Sequence, residues 1–196
     1  MSTSPANTIH RVPMFPLPDF FLFPGAVAPL HIFEPRYRRM IDDLLDTAGR
    51  LVLVAYRPDG PRTEAGPEVM EVGGLGEIVH HETLADGRFL IWVLGLGRVE
   101  VTESPSDRPY RLADVRLVAD DQTGDDHARD LAPRLVRAIE ERAPRGQKLE
   151  GELPMGLLAD MLLNALPLDA ESTAAIFAER CPLTRARTAL DWHAQY

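Results

Sequence analysis

The 196-residue sequence contains a single cysteine, Cys181, which excludes an internal disulfide framework and any cysteine-rich zinc site. It also contains a single lysine, Lys148, so arginine supplies the rest of its 21 basic residues. No apolar run approaches the ~18 residues that a membrane helix requires, and the N-terminus MSTSPANTIHR lacks the pattern of a signal peptide. We therefore expect a cytoplasmic protein that has no membrane partner.

The composition favours a globular chain, because 45% of the residues are hydrophobic and 26% are charged. The formal net charge is −9, and no block of basic residues is present. Nucleic-acid binding depends on neutralising phosphates, so this balance argues against generic binding to nucleic acid.

The character of the sequence changes near residues 119–126. Before this point, valine, glycine and proline are common in short extended runs, whereas alanine and leucine recur at helical spacing after it. We therefore predict an α+β protein with a β-rich domain at residues 1–122 and a helical domain at residues 123–196. The helical part is expected to direct six side chains inward: Leu131, Leu135, Leu158, Met161, Leu162 and Ile176.

Local signals define the β-rich part. The run RVPMFPLP predicts a strand, and its prolines place that strand at an edge or rim. The segment EPRYRRMIDDLLDTAG predicts a helix that begins at Pro35 and stops at Gly49. Asp86-Gly87 predicts a hairpin with left-handed angles at both residues, and glycines inside the flanking strands predict the bends of a small antiparallel barrel. Trp92 is interpreted as a core residue.

Three segments carry a family resemblance: FPLPDFFLFPGAVAPLHIFEPRYRRMIDDLL, VGGLGEIVHHETLADGRFLIWVLGLGRVEV and MGLLADMLLNALPLD. Together they resemble the N-terminal substrate-binding domain of Lon proteases, in the stand-alone bacterial form. The resemblance implies a PUA-like β-barrel, followed by a bundle of α-helices. It also implies recognition of unfolded or exposed polypeptide, with a protease or chaperone as a further partner.

The same resemblance sets an expectation about catalysis. Full-length Lon carries an ATPase module and a Ser-Lys protease module after this domain. The present sequence contains no G-x-x-x-x-G-K-[ST] phosphate loop and no serine near Lys148 on its N-terminal side. We therefore expect a non-enzymatic binding module that has no catalytic residue, no cofactor and no metal. RNA or nucleotide binding stays open as the alternative, because other PUA-like barrels bind RNA and Arg36, Arg38 and Arg39 form a local basic patch.

Two neighbouring segments supply the candidate substrate-binding residues: Phe20, Phe21, Leu22, Phe23, Pro24, His31, Glu34, Arg36 and Tyr37. Three phenylalanines within four residues are costly to leave in water, at ~25 cal/mol per Å² of apolar area. If the segment is a strand, Phe20 and Leu22 face outward as a lip that grips a polypeptide, whereas Phe21 and Phe23 are core. The other interpretation is that all of them plug the barrel. Around the second segment, Glu34 is expected to cap the helix, Arg36 to pair with an acid, and Tyr37 to pack inward.

Two further groupings are weighed and set aside. His80, His81 and Glu82 resemble a metal cluster, but adjacent side chains on a strand point to opposite faces. Cys181 and His193 could be a nucleophile and its base, although a free cysteine before a proline is more typical of a small buried apolar residue.

Overall fold

The computed structural model describes residues 8–63, 66–122, 125–144, 148–149 and 151–196. These residues form two compact units. The first unit contains the described residues up to Leu22 and those from Ala26 to Val118, and the second contains Phe23–Gly25 and the described residues from Ala119 onward. The division into domains at residues 122 and 123 stays a prediction. Within the described ranges, no helix is long and apolar enough to cross a membrane.

The first unit is a β-barrel with one helix. Its strands are β1 (Thr8–Leu17), β2 (Val27–Ile32), β3 (Arg50–Ala55), β4 (Arg62–Thr63), β5 (Gly66–Pro67), β6 (Val72–Thr83), β7 (Phe89–Ser104) and β8 (Arg111–Leu117). Six of them form one sheet in the order β2-β7-β6-β3-β1-β8, and an additional β7–β8 pairing closes the ring. The ring closes because the 16-residue β7 runs beside β2 along its first half and beside β8 along its second. The predicted α+β class is confirmed, and β1 with β3 is a parallel pair in this largely antiparallel sheet.

Strand β1 lies between β3 and β8 in the sheet order, whereas its prolines had predicted a strand at an edge or rim. It pairs with β3 on one side and with β8 on the other. The pairing with β8 covers Thr8 to Met14 and the pairing with β3 covers Met14 to Leu17, and a register shift with β8 lies between Ile9 and Val12. At the shift, Arg11 adopts a left-handed φ of 56°. Its backbone N–H donates to Asp114 Oδ1 at 2.9 Å, so a side chain satisfies a donor that the irregular pairing releases.

Helix α1 (Pro35–Leu45) begins at the predicted residue and ends at Leu45, before the predicted stop at Gly49. Pro35 occupies the first turn, where its missing N–H costs nothing, and Gly49 has a left-handed φ of 66° after the helix. The buried residues on the inward face of the helix are Tyr37, Met40, Ile41 and Leu44. Glu34 is the N-cap residue, but its side chain makes no capping hydrogen bond.

The β6–β7 hairpin is confirmed at the predicted position, with a longer turn than expected. The Leu84 N–H donates to the Arg88 carbonyl and the Gly87 N–H donates to the Leu84 carbonyl, each at 2.8 Å. Gly87 has a φ of 77°, and Asp86 is not among the described residues with positive φ. The turn is therefore a three-residue loop that closes through one left-handed glycine.

Two glycines of β6 allow the chain before β2 to pack directly on the sheet. A Cβ atom at Gly74 would lie 2.8 Å from Leu22 Cβ, and one at Gly76 would lie 2.8 Å from Leu22 Cδ2. A register shift in the β6–β7 pairing follows Leu75, as the glycine pattern predicted. Leu22 is consequently only 1% exposed.

The second unit contains α2 (Asp125–Arg142), α3 (Met155–Asn164), α4 (Ala170–Ala178) and α5 (Pro182–His193). The predicted inward positions are buried at Leu131, Leu135, Leu158, Leu162 and Ile176, whereas Met161 is half-buried. The described residues between 153 and 180 contain no strand, in agreement with the predicted helical tail.

Candidate functional site

The predicted phenylalanine lip is not a continuous exposed surface. Leu22 was expected to face outward, but it is 1% exposed and belongs to the core of the barrel unit. Phe23 is buried, as predicted, and its ring meets Phe177 edge-on at a centroid distance of 5.1 Å within the second unit. Phe21, which was expected in the core, and Phe20, which was expected to face outward, are both half-buried, and so is Pro24.

The backbone explains why the outward assignment of Leu22 is wrong. The residues from Pro18 to Ala26 are turn or irregular structure, and Asp19 adopts a left-handed φ of 49°. Side chains alternate between two faces only in a regular strand. In this segment the close approach of the chain to Gly74 and Gly76 decides which side chain is buried.

At the junction between β2 and α1, Arg36 pairs with an acid and Tyr37 packs inward as predicted, whereas the Glu34 side chain does not cap the helix. Glu34 Oε2 accepts hydrogen bonds from Arg36 Nε and Nη2, both at 3.0 Å. The Arg36 guanidinium lies 4.4 Å from the centre of the Tyr37 ring, whose other neighbour is Phe15 at 4.4 Å between centroids. Burial raises the pKa of Tyr37 to about 12, against the opposing effect of the nearby Arg36 charge. The phenol therefore stays neutral.

A cleft of about 580 Å³ lies beside this junction and is lined by Arg36, Tyr37, Glu103, Ser104, Pro105, Ser106, Arg108, Pro109, Tyr110 and Arg111. Its arginines carry carboxylate partners. Arg108 Nη1 donates to Asp43 at 3.0 Å, and Arg111 Nε donates to Glu103 at 2.7 Å. The Tyr110 hydroxyl donates to Asp43 at 2.7 Å. Burial is the largest cause, and this hydrogen bond the second, of a rise in the pKa of Tyr110 to about 12. The charges of this cleft are therefore balanced by the protein itself.

The outer side of β2 is apolar and exposed. Ala28 and Ile32 are buried, whereas the alternating residues Val27, Pro29 and His31 are exposed. Phe33, which follows the strand, is 60% exposed, and its ring lies 5.8 Å from the His31 ring. The strand thus has a regular inner and outer face.

Strand β7 extends this apolar surface. Its register places Leu94 opposite Val27, Trp92 opposite Pro29 and Leu90 opposite His31. We call the outer side chains the β2 face; its members are Val27, Pro29, His31, Phe33, Leu90, Trp92 and Leu94. Isolated apolar residues are ordinary on protein surfaces, but a contiguous set on neighbouring strands is typical of an interaction site.

The interpretation of Trp92 as a core residue is wrong. Phe89, Ile91 and Val93 are buried, so the alternation along β7 places Trp92 on the outer face, where it is half-buried. Its ring lies 4.9 Å from the ring of the exposed His80 on β6. The sequence of β7 is apolar on both faces of the strand, which had indicated that both faces are buried. Only one of them is.

The two groupings set aside from sequence have ordinary surroundings. Among the residues that the structure describes, no group of three or more His, Cys, Asp or Glu could hold a metal ion. Cys181 is the N-cap residue of α5, and hydrogen bonding from Thr184 lowers the pKa of its thiol. His193 Nδ1 accepts from Arg142 Nε at 2.9 Å, and its Nε2 lies 3.2 Å from Glu141.

The family assignment rests on a comparison with known protein families. Residues 11–194 match the model of the ATP-dependent protease La (LON) substrate-binding domain, which is nearly the whole chain. The chain belongs to the Lon substrate-binding domain family. The resemblance stated from sequence is confirmed.

Individual Lon proteins agree with this assignment. Lon protease 2 of Syntrophobacter fumaroxidans is 27% identical over 171 residues, which cover 87% of this chain and 19% of the relative. Lon protease 2 of Sorangium cellulosum is 27% identical over 174 residues, covering 84% of this chain and 22% of the relative. The chain therefore spans about a fifth of the length of these Lon relatives.

Solved structures of Lon N-terminal domains share the fold. The Lon N-terminal domain protein from Xanthomonas campestris superposes with a TM-score of 0.67 at 22% identity, covering 94% of this chain and 99% of that one. The N-terminal domain of the Mycobacterium avium complex Lon protease gives 0.68 at 17% identity, with coverages of 94% and 98%.

The helical unit of this Lon-family chain holds a buried ion cluster that the sequence analysis missed. Arg185 is fully buried, and its Nη1 and Nη2 donate to the Asp120 carboxylate at 2.9 and 2.8 Å. Its Nε lies 3.0 Å from Oδ1 of the buried Asp160. Burial alone would lower the pKa of Arg185, but hydrogen bonds to Asp120 and the charge of Asp160 raise it.

A sequence signal for this cluster existed. Asp160 is the single charged residue of the otherwise largely apolar helix MGLLADMLLN. A lone acid on such a helix needs a partner when it is buried. Gly156 provides room for the partners, because a Cβ atom there would lie 2.6 Å from Asp120 Oδ2 and 2.9 Å from Arg185 Nη2.

Proposed function

We propose that this chain is a non-catalytic polypeptide-recognition module, which binds unfolded or exposed apolar segments and acts as an adaptor in protein quality control. Membership of the substrate-binding domain family supports the general role. The observation that carries the proposal is the β2 face, on which Phe33 is 60% and Val27 51% exposed. Covering such a surface with an apolar segment of a client, meaning the bound polypeptide, removes both surfaces from water.

The predicted site residues contribute to this proposal in different ways. His31 belongs to the β2 face, and Glu34, Arg36 and Tyr37 fix the helix that follows it. We propose that the half-buried Phe20, Phe21 and Pro24 add a minor part of the contact area. Leu22 and Phe23 are too buried to reach a client.

The test compares two single substitutions of exposed apolar residues. Phe33→Ser removes a side chain of the β2 face that is 60% exposed, and Leu117→Ser changes a residue of β8 that is 44% exposed and lies outside this face. Fluorescence anisotropy with a labelled, permanently unfolded protein measures binding. We expect Phe33→Ser to weaken binding by about 1–2 kcal/mol and Leu117→Ser to leave it unchanged. Equal affinities of the two variants would contradict the assignment of the β2 face.

The proposed absence of catalysis has its own measurement. The sequence carries no phosphate loop and no serine near Lys148 on its N-terminal side. The purified protein should neither hydrolyse ATP nor cleave casein. ATP-dependent proteolysis that follows this chain through every purification step would overturn the proposal of a binding module.

We propose a cytoplasmic location and delivery of clients to a protease or chaperone.

RNA or nucleotide binding is the alternative function, and no observation favours it. Within the predicted basic patch, Arg36 pairs with Glu34, and Arg39 lies 3.0 Å from Asp43. Two of the three arginines of this patch therefore already have carboxylate partners. A binding constant that falls steeply with salt would support the alternative, since phosphate contacts release counterions. Binding to the β2 face should depend little on salt.

A further inference from the structure

Strand β2 ends the six-stranded sheet, and its only strand partner within the described residues is β7. One side of its backbone therefore faces no neighbouring strand. Such an edge offers a row of N–H and C=O groups that an added extended chain can pair with.

The register identifies which backbone groups point away from β7. The Gly95 N–H donates to the Ala26 carbonyl at 2.8 Å, so Ala26 and Gly95 are a hydrogen-bonded pair. Such pairs alternate with non-hydrogen-bonded pairs in an antiparallel ladder. Ala28, Leu30 and Ile32 therefore direct their backbone groups to β7. Val27, Pro29 and His31 direct theirs to the open edge.

Pro29 lies on the open side, where its missing N–H costs no bond to β7. The edge thus offers an N–H and a C=O at Val27 and at His31, and a C=O alone at Pro29. If two copies of the chain paired symmetrically about Pro29, two carbonyls would face each other without a donor. A client residue opposite Pro29 instead supplies its own N–H, so a client can occupy the edge in a register that a second copy paired about Pro29 cannot.

Side chains on the same strand positions belong to the apolar surface. The residues that point their backbone to the edge also carry the exposed side chains of the β2 face. In a paired strand, residues that lie opposite each other project to the same face of the sheet. A client residue that donates its N–H to the edge therefore also places its side chain beside Val27, Pro29 or His31.

We propose that the client binds as an added strand beside β2. Every second residue of the client has a free backbone N–H, which it donates to the edge of β2, and an apolar side chain, which it places on the β2 face. This inference rests on the proposed function, because it describes how the β2 face takes its polypeptide. The ligand class is an extended segment of at least about five residues without proline or N-methylation at the alternate positions. No particular amino-acid sequence is required, since the backbone supplies much of the recognition.

An N-methyl scan of one peptide tests this mode with the unmodified protein. The probe is a fluorescein-labelled seven-residue peptide of alternating valine and threonine, methylated at one backbone nitrogen at a time. Each methyl group removes a donor and blocks close pairing. We expect affinity to fall at least about fivefold at alternate positions and to change little at the others. A response without a two-residue period, or no binding of the parent peptide, would overturn strand addition.

A protein variant gives the matching result from the other side of the pairing. Val27→Pro removes one N–H of the open edge, keeps an apolar side chain and leaves the bonds to β7 in place. We expect peptide affinity to fall about fivefold with an unchanged melting temperature. Ala28→Pro is the control, because it removes a donor that faces β7 and should lower the melting temperature. Unchanged peptide affinity of folded Val27→Pro would overturn strand addition.

The outcomes separate the two proposals. A scan without a period, together with weaker binding by Phe33→Ser, would overturn strand addition and leave the proposed function standing. Unchanged binding of unfolded protein by Phe33→Ser would contradict the β2 face itself. Sedimentation that finds a dimer, which Val27→Pro dissociates, would assign the edge to a second copy and overturn strand addition by clients.

Discussion

The barrel unit and the helical unit bury their cores by different means. The barrel unit packs two apolar clusters, to neither of which its buried Arg98 belongs, and it uses Gly74 and Gly76 to bring Leu22 onto the sheet. The helical unit buries Leu135, Leu158 and Leu162 together with a charged Arg185. The stability of the first core depends on the volume of its side chains, whereas the stability of the second depends also on the balance of its buried charges.

The two tryptophans of the sequence allow this comparison to be measured unit by unit. Trp92 lies in β7 and Trp192 lies in α5. A Trp92→Phe background reports unfolding of the helical unit, and a Trp192→Phe background reports unfolding of the barrel unit. Denaturant titrations followed by fluorescence then give separate free energies of unfolding, if each unit unfolds in one cooperative step.

The largest effect is expected when the ion cluster of the helical unit loses its cation. In the Trp92→Phe background, Arg185→Leu leaves Asp160 buried without its positive partner, which should lower the free energy of unfolding by about 3–5 kcal/mol. The double variant Arg185→Leu/Asp160→Leu is the control, because it removes both buried charges. It should recover most of the loss. A double variant as unstable as the single one would show that Arg185 stabilises the unit by packing alone.

The second effect belongs to the barrel unit. In the Trp192→Phe background, Leu22→Ala should lower the free energy of unfolding by about 2–5 kcal/mol, because it leaves a cavity over Gly74 and Gly76. Leu117→Ala removes the same atoms at a position that is 44% exposed, and it should cost less than about 0.5 kcal/mol. Equal losses from the two leucine variants would contradict the packing of Leu22 on the sheet.

Local signals in the sequence predicted the parts of each unit that depend on neighbouring residues. Helix α1 was found from Pro35 and the spacing of its apolar residues, and the β6–β7 hairpin from Asp86-Gly87. In α3, helical periodicity correctly indicated the burial of Leu158 and Leu162, whereas Met161 is half-buried. Each of these features depends on propensities or contacts within a few turns of chain.

Features that depend on distant contacts were missed or misassigned. Asp120 and Arg185 are 65 positions apart, so no local sequence pattern predicts that these two residues pair. The burial of Leu22 depends on glycines of β6, and the position of β1 depends on its pairing with β3 and β8, which lie far along the chain. The proposed β2 face includes His31 from the segments predicted to bind substrate, and its apolar members on β7 follow only from strand register.

The smallest effect on stability is expected at Phe33, and it sharpens the contrast between core and recognition surface within the barrel unit. Phe33 is 60% exposed, so its substitution by serine removes little buried area. In the Trp192→Phe background, Phe33→Ser should change the free energy of unfolding by less than about 0.5 kcal/mol. A loss above about 2 kcal/mol would show that Phe33 packs into the core. Weaker client binding by this variant would then result from damage to the fold, and it would no longer support the β2 face as the binding surface.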